Sequence, residues 1–305
     1  MVLEDLKSRL NNREYKNWLK AGQCLRILKE GLHPFISLDM RAFHGDLLNK
    51  NTQLRKPCST SACKPKGNQL TSACRTCSEW QKEILKHHRH RDPIVNWDNC
   101  FPPRWRTDPW ELAKAYMPRG QSKVKSADQC DASALLNLIN FCDWFDSVDH
   151  TVVREVIRHR NELMHNCELG VKDEWMTQYQ TSLRNFLLQF RNVPKMAEAG
   201  REIKEMLTVD LSIWVSGFDG MDSADLFGLE TDNVSKQEFS ADLISQWEAE
   251  LLQERLQELL YADDDTEAQD SEQLKRLAGF LQNNRDLCER FSAELQTINS
   301  LEAVY

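Results

Sequence analysis

The sequence predicts an all-α protein: an antiparallel helical bundle with a small Cys-rich insertion and a C-terminal helical hairpin or coiled coil. Three observations lead there. Only 11 glycines and 9 prolines are spread over 305 residues, which leaves few turns and disfavours a sandwich or barrel of short strands. Apolar residues recur three and four apart over most of the chain, the period of an amphipathic helix. Hydrophobic residues at 41% and charged residues at 28% describe a folding chain rather than a disordered one.

The elements follow in order. Residues 1–50 form the N-terminal region, read as two helices. Leu3, Leu6 and Leu10, then Trp18, Leu25, Leu28 and Leu32, keep helical spacing. Gly31 and Pro34 are expected to break the run, and Ile36, Met40, Phe43 and Leu47 to resume it. Residues 51–104 lose this periodicity and gain cysteine, lysine and proline. A bundle is expected over 105–195. Asp108-Pro109-Trp110-Glu111 opens it as a cap, a first-turn proline and a capping-box acid. After Met117-Pro118-Arg119-Gly120 and a basic loop, Asp131 caps a helix with Leu135, Leu138, Ile139, Cys142 and Phe145 inward. A second helix spans about 151–165, with Val153, Val156, Ile157, Leu163 and Met164 inward. A third begins near Asp173 and carries Trp175, Tyr179, Leu183, Phe186, Leu187 and Phe190. Short connections favour antiparallel packing.

Residues 196–238 are acidic, with Gly217, Gly220 and Gly228 among aspartates, and read as an irregular linker. Residues 239–305 read as an acidic helical hairpin or coiled coil. Leu243, Ile244, Trp247, Leu251, Leu252, Leu256 and Leu259 mark one helix. Leu274, Leu277, Leu281, Asn284, Cys288, Phe291, Leu295 and Ile298 mark the other, spaced 3,4,3,4,3,4,3 with one polar residue in the seam. Such a seam serves an intramolecular hairpin or a dimer, in which the asparagine fixes register.

Membrane insertion and secretion are not expected. The charge-free stretch Ala132 to Cys142 is 11 residues long, against roughly 20 for a spanning helix. Met1-Val2-Leu3-Glu4-Asp5 puts acids where a signal peptide is basic and then apolar. The reading is an intracellular protein, cytoplasmic or nuclear, with reduced cysteines.

The net charge of −8 conceals two opposed regions. Residues 196–305 hold 25 acids and 8 bases, and residues 1–195 hold 22 acids and 31 bases. Within the latter, Lys56 to Lys125 holds 14 bases and 6 acids. A basic surface of this kind attracts polyanions, RNA among them. An acidic tail on a basic body is expected to compete with an outside polyanion.

The Cys-rich stretch carries Cys58-x4-Cys63-x10-Cys74-x2-Cys77. Four soft ligands with a tight Cys-x2-Cys turn suit tetrahedral Zn2+, which would be a structural cofactor. Without a staple, a segment this poor in apolar residues has little to order it. His87, His88, His90 and Cys100 are substitute ligands. No His-x-Glu or His-Glu-x-x-His pattern points to catalytic metal. Trp80, Trp97, Phe101, Trp105, Trp110 and Tyr116 lie among the bases, either as the core of a small module or as a stacking platform for single strands.

The second bundle helix ends in Arg158-His159-Arg160-Asn161-Glu162-Leu163-Met164-His165. Arg160-Asn161-x3-His165 resembles the Arg-x(4–6)-His signature of the HEPN superfamily, late in an inner helix of an all-α bundle, over roughly residues 105–192. The resemblance implies RNA work, often metal-independent endoribonuclease activity at a site shared by two facing bundles, and hence a homodimer. It implies that Arg160 stabilises charge on the phosphate, that His165 holds the phosphate or protonates the leaving oxygen, and that Asn161 orients His165. Arg158, seven residues from His165 and on nearly the same helical face, is the second choice for the arginine. Over its whole length the chain also resembles a family of vertebrate proteins encoded by an X-chromosome open reading frame. Glu14-Tyr15-Lys16-Asn17-Trp18, Cys74-x2-Cys77-x2-Trp80 and Ala115-Tyr116-Met117-Pro118-Arg119-Gly120 carry that likeness, which assigns no activity. The alternative function is a non-catalytic adaptor that dimerises and binds protein partners through the C-terminal helices.

Overall fold

The computed structural model describes residues 2–214, apart from 61–62, 67–68, 71–72 and 91–93, together with 252–253, 256 and 267–302. Among these there is no strand, only the isolated bridges Lys66–Gln69 and His88–Cys142. No helix of the described residues is long and apolar enough to cross a membrane. The chain divides into two compact units, Met1–Ser223 and Ala224–Tyr305.

The first unit is organised on one helix. After α1 (Val2–Leu10), Asn12 caps α2 by accepting from the backbone N–H of Glu14, and α2 then runs unbroken from Arg13 to Lys50. The expected break at Gly31 and Pro34 does not occur; the two N-terminal helices part at Asn11-Asn12 instead. Proline inside a helix costs about 3 kcal/mol. Against it stands a stripe of large apolar side chains, Leu25, Leu28, Leu32, Ile36, Met40, Phe43 and Leu47, all buried and lying on both sides of Pro34. Each contributes about 1.5–3 kcal/mol on burial, so packing overrides the local breaker.

Around α2 pack α4 (Pro109–Ala113), α5 (Ala132–Phe141), α6 (His150–Met164), α7 (Asp173–Gln189) and α8 (Pro194–Thr208). The N-terminal region and the bundle therefore share one core. Asp108 accepts from the N–H of Trp110 and Asp131 from that of Ala134, so both expected caps are present. Glu111 does not close a capping box. Its carboxylate accepts instead from the N–H of Phe101 at 2.7 Å and from the buried Lys114 at 2.8 Å. Phe145 is buried, yet beyond the end of α5, in a short 3-10 turn. Met164 points outward and is 56% exposed.

Two further helices stand where none was expected. Within the Cys-rich stretch, α3 (Arg75–Lys86) buries Cys77, Trp80 and Ile84, one stripe at spacing 3 and 4. At the start of the acidic linker, α8 buries Met196, Ala199 and Ile203, and it lies against α2 where Gly31 leaves room. Its exposed glutamates made the segment look irregular, although one face is apolar.

In the second unit the heptad run is divided into α9 (Glu267–Asn283), α10 (Arg285–Arg290) and α11 (Ser292–Glu302). Leu281, Phe291, Leu295 and Ile298 are buried with Leu256 and Ala278 of the same chain. The expected continuous helix is broken at Asn284, which is exposed and gives its amide to the Phe280 carbonyl at 2.8 Å, so it does not lie in a seam. Of the preceding expected helix only Leu252, Gln253 and Leu256 are described; Leu243, Ile244, Trp247, Leu251 and Leu259 lie outside the described residues, as do Gly217, Gly220 and Gly228.

Candidate functional site

Two places in the first unit gather side chains with chemistry. The first is the cysteine cluster. Cys63 is buried just ahead of a turn closed by the paired backbone groups of Lys66 and Gln69. The chain then returns to α3, placing Cys74 at its N-cap and Cys77 in its first turn. Cys58 comes in after the short turn Thr52–Arg55. The sulfurs of Cys58, Cys63, Cys74 and Cys77 all lie within 4.8 Å of one another. A tetrahedral metal with metal–sulfur bonds of about 2.3 Å has sulfurs about 3.8 Å apart, and Cys58 and Cys74 stand at 3.7 Å. These four residues are the one such group found among the described residues, and all ten cysteines are free thiols.

The electrostatics favour a cation at the centre. Burial pushes the Cys77 and Cys63 thiols up, and crowding against neighbouring sulfurs adds to it. Cys74 goes the other way: burial opposes the change, but hydrogen bonds from the backbone of Cys77 and Ser59 hold it down to about 6. A thiol that ionises readily beside two that burial holds back is a donor set a divalent ion would complete, displacing protons. The backbone N–H of Cys74 also donates to the Cys63 sulfur at 3.1 Å.

The substitute ligands are engaged elsewhere. His87 pairs with Asp143 at 2.8 Å, and His88 is buried against Tyr116 and Phe141. Cys100 is buried beside Trp105. Trp80, Trp97, Trp105, Trp110 and Tyr116 are all buried, so they serve as core and not as a stacking platform; Phe101 alone of that set is half-buried.

The second place is the end of α6. Arg160 is nearly enclosed, with 13% of its side chain exposed. Its guanidinium donates to the Asp131 carboxylate at 3.0 Å and to the Asn161 side-chain oxygen at 2.9 Å. Asp131 is also the cap of α5, so Arg160 ties the two helices together. His165 caps the C-terminus of α6 and is exposed. Arg158 is exposed too, with a single long contact of 3.9 Å to Glu162. His159 is buried, bonded to the Glu155 carbonyl and packed on Trp175 and Tyr179. The structure thus brings Arg160 to Asn161 and Asp131, and leaves Arg158 and His165 at the surface.

This end of α6 is held from α2 by residues that spacing did not single out. Trp18 donates to the Leu163 carbonyl at 3.0 Å, one of the last carbonyls of the helix. Asn17 bonds the Val171 carbonyl and the Asp173 carboxylate, and Arg13 pairs with Asp173 at 2.8 Å. Between them Leu169 holds φ at 54°, a left-handed backbone uncommon for leucine. All three anchors, Arg13, Asn17 and Trp18, lie within the segment 13–18 at the start of α2.

Comparison with known proteins adds kinship. The family model described as a domain of unknown function (DUF4559) matches residues 9–304. A mouse protein, "Uncharacterized protein CXorf38 homolog", is 40% identical over 307 residues, which covers 99% of this chain and 93% of the mouse one. No solved structure matches the chain.

Proposed function

The chain belongs to the DUF4559 family, and from its own side chains we propose that it is an intracellular RNA-binding protein with a HEPN-like bundle, a structural zinc ion and a metal-independent cleavage site at the end of α6. The observation that carries the reading is the pair of exposed groups, Arg158 and His165, beside a bracketed Arg160. RNA supplies its own nucleophile, the 2′-hydroxyl. Its attack on phosphorus displaces the 5′-oxygen and gathers negative charge on the phosphoryl oxygens. A guanidinium suits that charge by its fixed fork of donors, and an imidazole titrates where a proton must be given and taken. In a site shared by two copies, the neutral His165 of one takes the 2′-hydroxyl proton and the protonated His165 of the other delivers one to the 5′-oxygen. Arg158 is the phosphate contact; Arg160 and Asn161 are positioning residues that fix α6 against α5.

Zinc would be held by Cys58, Cys63, Cys74 and Cys77. With four protein ligands it has no open position, so its part is to order the Cys-rich stretch. The competing reading is a non-catalytic adaptor that dimerises, and the neutralisation of Arg160 by Asp131 is the observation in its favour.

The test is direct. Purified full-length protein is incubated with mixed single-stranded RNA and chelator. The products expected are 2′,3′-cyclic phosphate and 5′-hydroxyl ends, with an all-DNA substrate surviving. His165→Ala should slow cutting by about 10²–10⁴ with unchanged circular dichroism. Wild type and His165→Ala cutting alike assigns the activity to a contaminant or another site; neither cutting gives the adaptor reading the lead. Metal analysis should find one zinc per chain, lost in Cys74→Ser with Cys77→Ser; folded wild type without metal removes the zinc.

A further inference from the structure

The excess of base in residues 56–125 becomes more telling once partners are assigned. The described acids of this stretch are all engaged. Glu79 pairs with Lys82, Glu83 with Lys86 and Asn51, and Asp98 with Arg119. Asp108 caps α4, and Glu111 is buried on Lys114. Lys56, Lys64, Lys66, Arg75, Arg104 and Arg106 are exposed and have no ion pair with a described residue. Four of the six neighbour the sulfur cluster in sequence, where Zn2+ with four thiolates would carry a net charge of about −2. Two bases offset that, and about four remain uncompensated.

Two of these bases lie at one ring whose backbone is held in place. Lys64, next to the ligand Cys63, sits 5.9 Å from the centre of the Phe101 ring, and the guanidinium of Arg104 sits 5.8 Å from it. Phe101 is half-buried and its backbone N–H is fixed by Glu111. Glu111 and Lys114 form a pair exposed by 7% and 2%, an arrangement that is costly in desolvation. Lys114 also reaches the Ser122 carbonyl at 3.3 Å. The pair clamps the loop that presents Phe101.

We propose that the face of the Cys-rich module carrying Lys64, Lys66, Phe101, Arg104 and Arg106 is the surface that binds single-stranded nucleic acid, with phosphates on the bases and one nucleobase stacked at Phe101. The inference rests on the RNA reading above and places the binding surface apart from the end of α6. Unpaired cations beside one aromatic ring match a strand of alternating phosphates and π faces. A lipid surface is matched less well, since the ring is half-buried with cations at 5.9 Å and 5.8 Å from its centre and is not free to insert.

The test uses the full chain and a fluorescein-labelled 20-mer of uridine, read by anisotropy across salt. Each phosphate contact on a single strand adds about 0.7 to the salt slope, which is roughly fivefold in affinity at 0.1 M salt. Lys64→Gln, Lys66→Gln, Arg104→Gln and Arg106→Gln together should weaken binding by a few hundredfold and lower the slope by about 2.8. Phe101→Ala should weaken it about 5- to 150-fold with the slope unchanged. Unaltered circular dichroism shows that each variant folds. Lys204→Gln, which removes an exposed base of α8, should bind as wild type does. If wild type fails to bind the RNA at low salt, both this inference and the RNA reading fall. If wild type binds and the quadruple variant binds within twofold, the site falls and the RNA reading stands. Loss of binding in Arg158→Gln with the quadruple variant binding as wild type puts the contact on α6 and overturns the site. Tighter binding to phosphatidylserine vesicles or polyglutamate than to RNA overturns the proposal in favour of a membrane or a protein partner.

Discussion

Gly31→Ala is the substitution for which two known effects of opposite sign meet at one atom. Inside a helix, alanine is better than glycine by about 1 kcal/mol, and Gly31 lies well inside α2. A Cβ built there would stand 2.8 Å from the Ala199 Cβ, 3.0 Å from the Met196 sulfur and 3.4 Å from the Lys195 carbonyl oxygen. Carbon atoms rest about 3.5–4.0 Å apart, so α8 must back away by roughly 1 Å along its contact with α2. Met196 can turn aside; the Ala199 methyl and the Lys195 backbone cannot. Overpacking of this kind costs about 1–3 kcal/mol. The net expectation is a loss of about 1 kcal/mol. The same helix supplies its own controls. Nothing lies within 4 Å of a Cβ at Gly22 or Gly45, so alanine there should stabilise by up to about 1 kcal/mol. Urea unfolding followed by tryptophan fluorescence reads the first unit, because eight of the nine tryptophans lie within it. Adding Ala199→Gly to Gly31→Ala should recover the clash, leaving a coupling of at least about 1 kcal/mol in the double-mutant cycle. Gly31→Ala stabilising as much as Gly22→Ala would refute the packing of α8 on α2.

Three other expectations follow from the same geometry. Lys114→Met strands the buried Glu111 carboxylate and should cost about 3–5 kcal/mol in urea unfolding, most of it restored by adding Glu111→Gln; an unchanged midpoint would remove the clamp on Phe101. Burial, with the charges of His90 and Arg89, holds His88 down to about 3. Unfolded histidine takes a proton near pH 6.5 while the folded one does not. The stability from His88 is thus complete above that pH and is lost as pH falls from about 6.5 towards 3. The loss amounts to about 2 kcal/mol between pH 8 and pH 5, and His88→Phe should flatten that part of the profile. Trp18→Phe deletes the bond to the Leu163 carbonyl and should cost about 1 kcal/mol, with faster hydrogen exchange at the end of α6; equal exchange would mean that α2 does not hold that end.

What was legible in the chain was what is decided locally. The caps at Asp108 and Asp131 depend on a side chain and a backbone N–H two or three residues on, and both are in place. The stripes of α5, α6 and α7 were read from their spacing, and most of those side chains are buried. The errors fall where a distant surface decides. Pro34 breaks a helix in isolation, but α2 has α4, α5, α6, α7 and α8 along it. The composition of 194–208 is acidic, yet Met196, Ala199 and Ile203 sit three and four apart, and the missing knowledge was that Gly31 waits opposite. The run at 274–298 fits a continuous seam until its residues fold back on Leu256, for which a turn at Asn284 is needed.

The site divides in the same way. The sulfur cluster is closed by spacing within twenty residues, and its four members were named from spacing alone. The arginines at the end of α6 both fit the motif's spacing, and they differ in helical face and in partners. At 100° per residue, Arg160 and His165 stand five positions and about 140° apart, while Arg158 and His165 stand seven positions and about 20° apart. The two arginines also differ in what they hold. Arg160 is nearly enclosed and paired with the half-exposed Asp131, which leaves it little net charge to offer an anion, and their bond joins α6 to α5. Arg158 has one exposed contact to Glu162 at 3.9 Å, a pair worth about 0–1 kcal/mol and readily exchanged for a stronger anion. Removing Asp131 would free Arg160 only by loosening the cap of α5, so it is the partners of the two arginines, and not the spacing that both satisfy, that tell them apart.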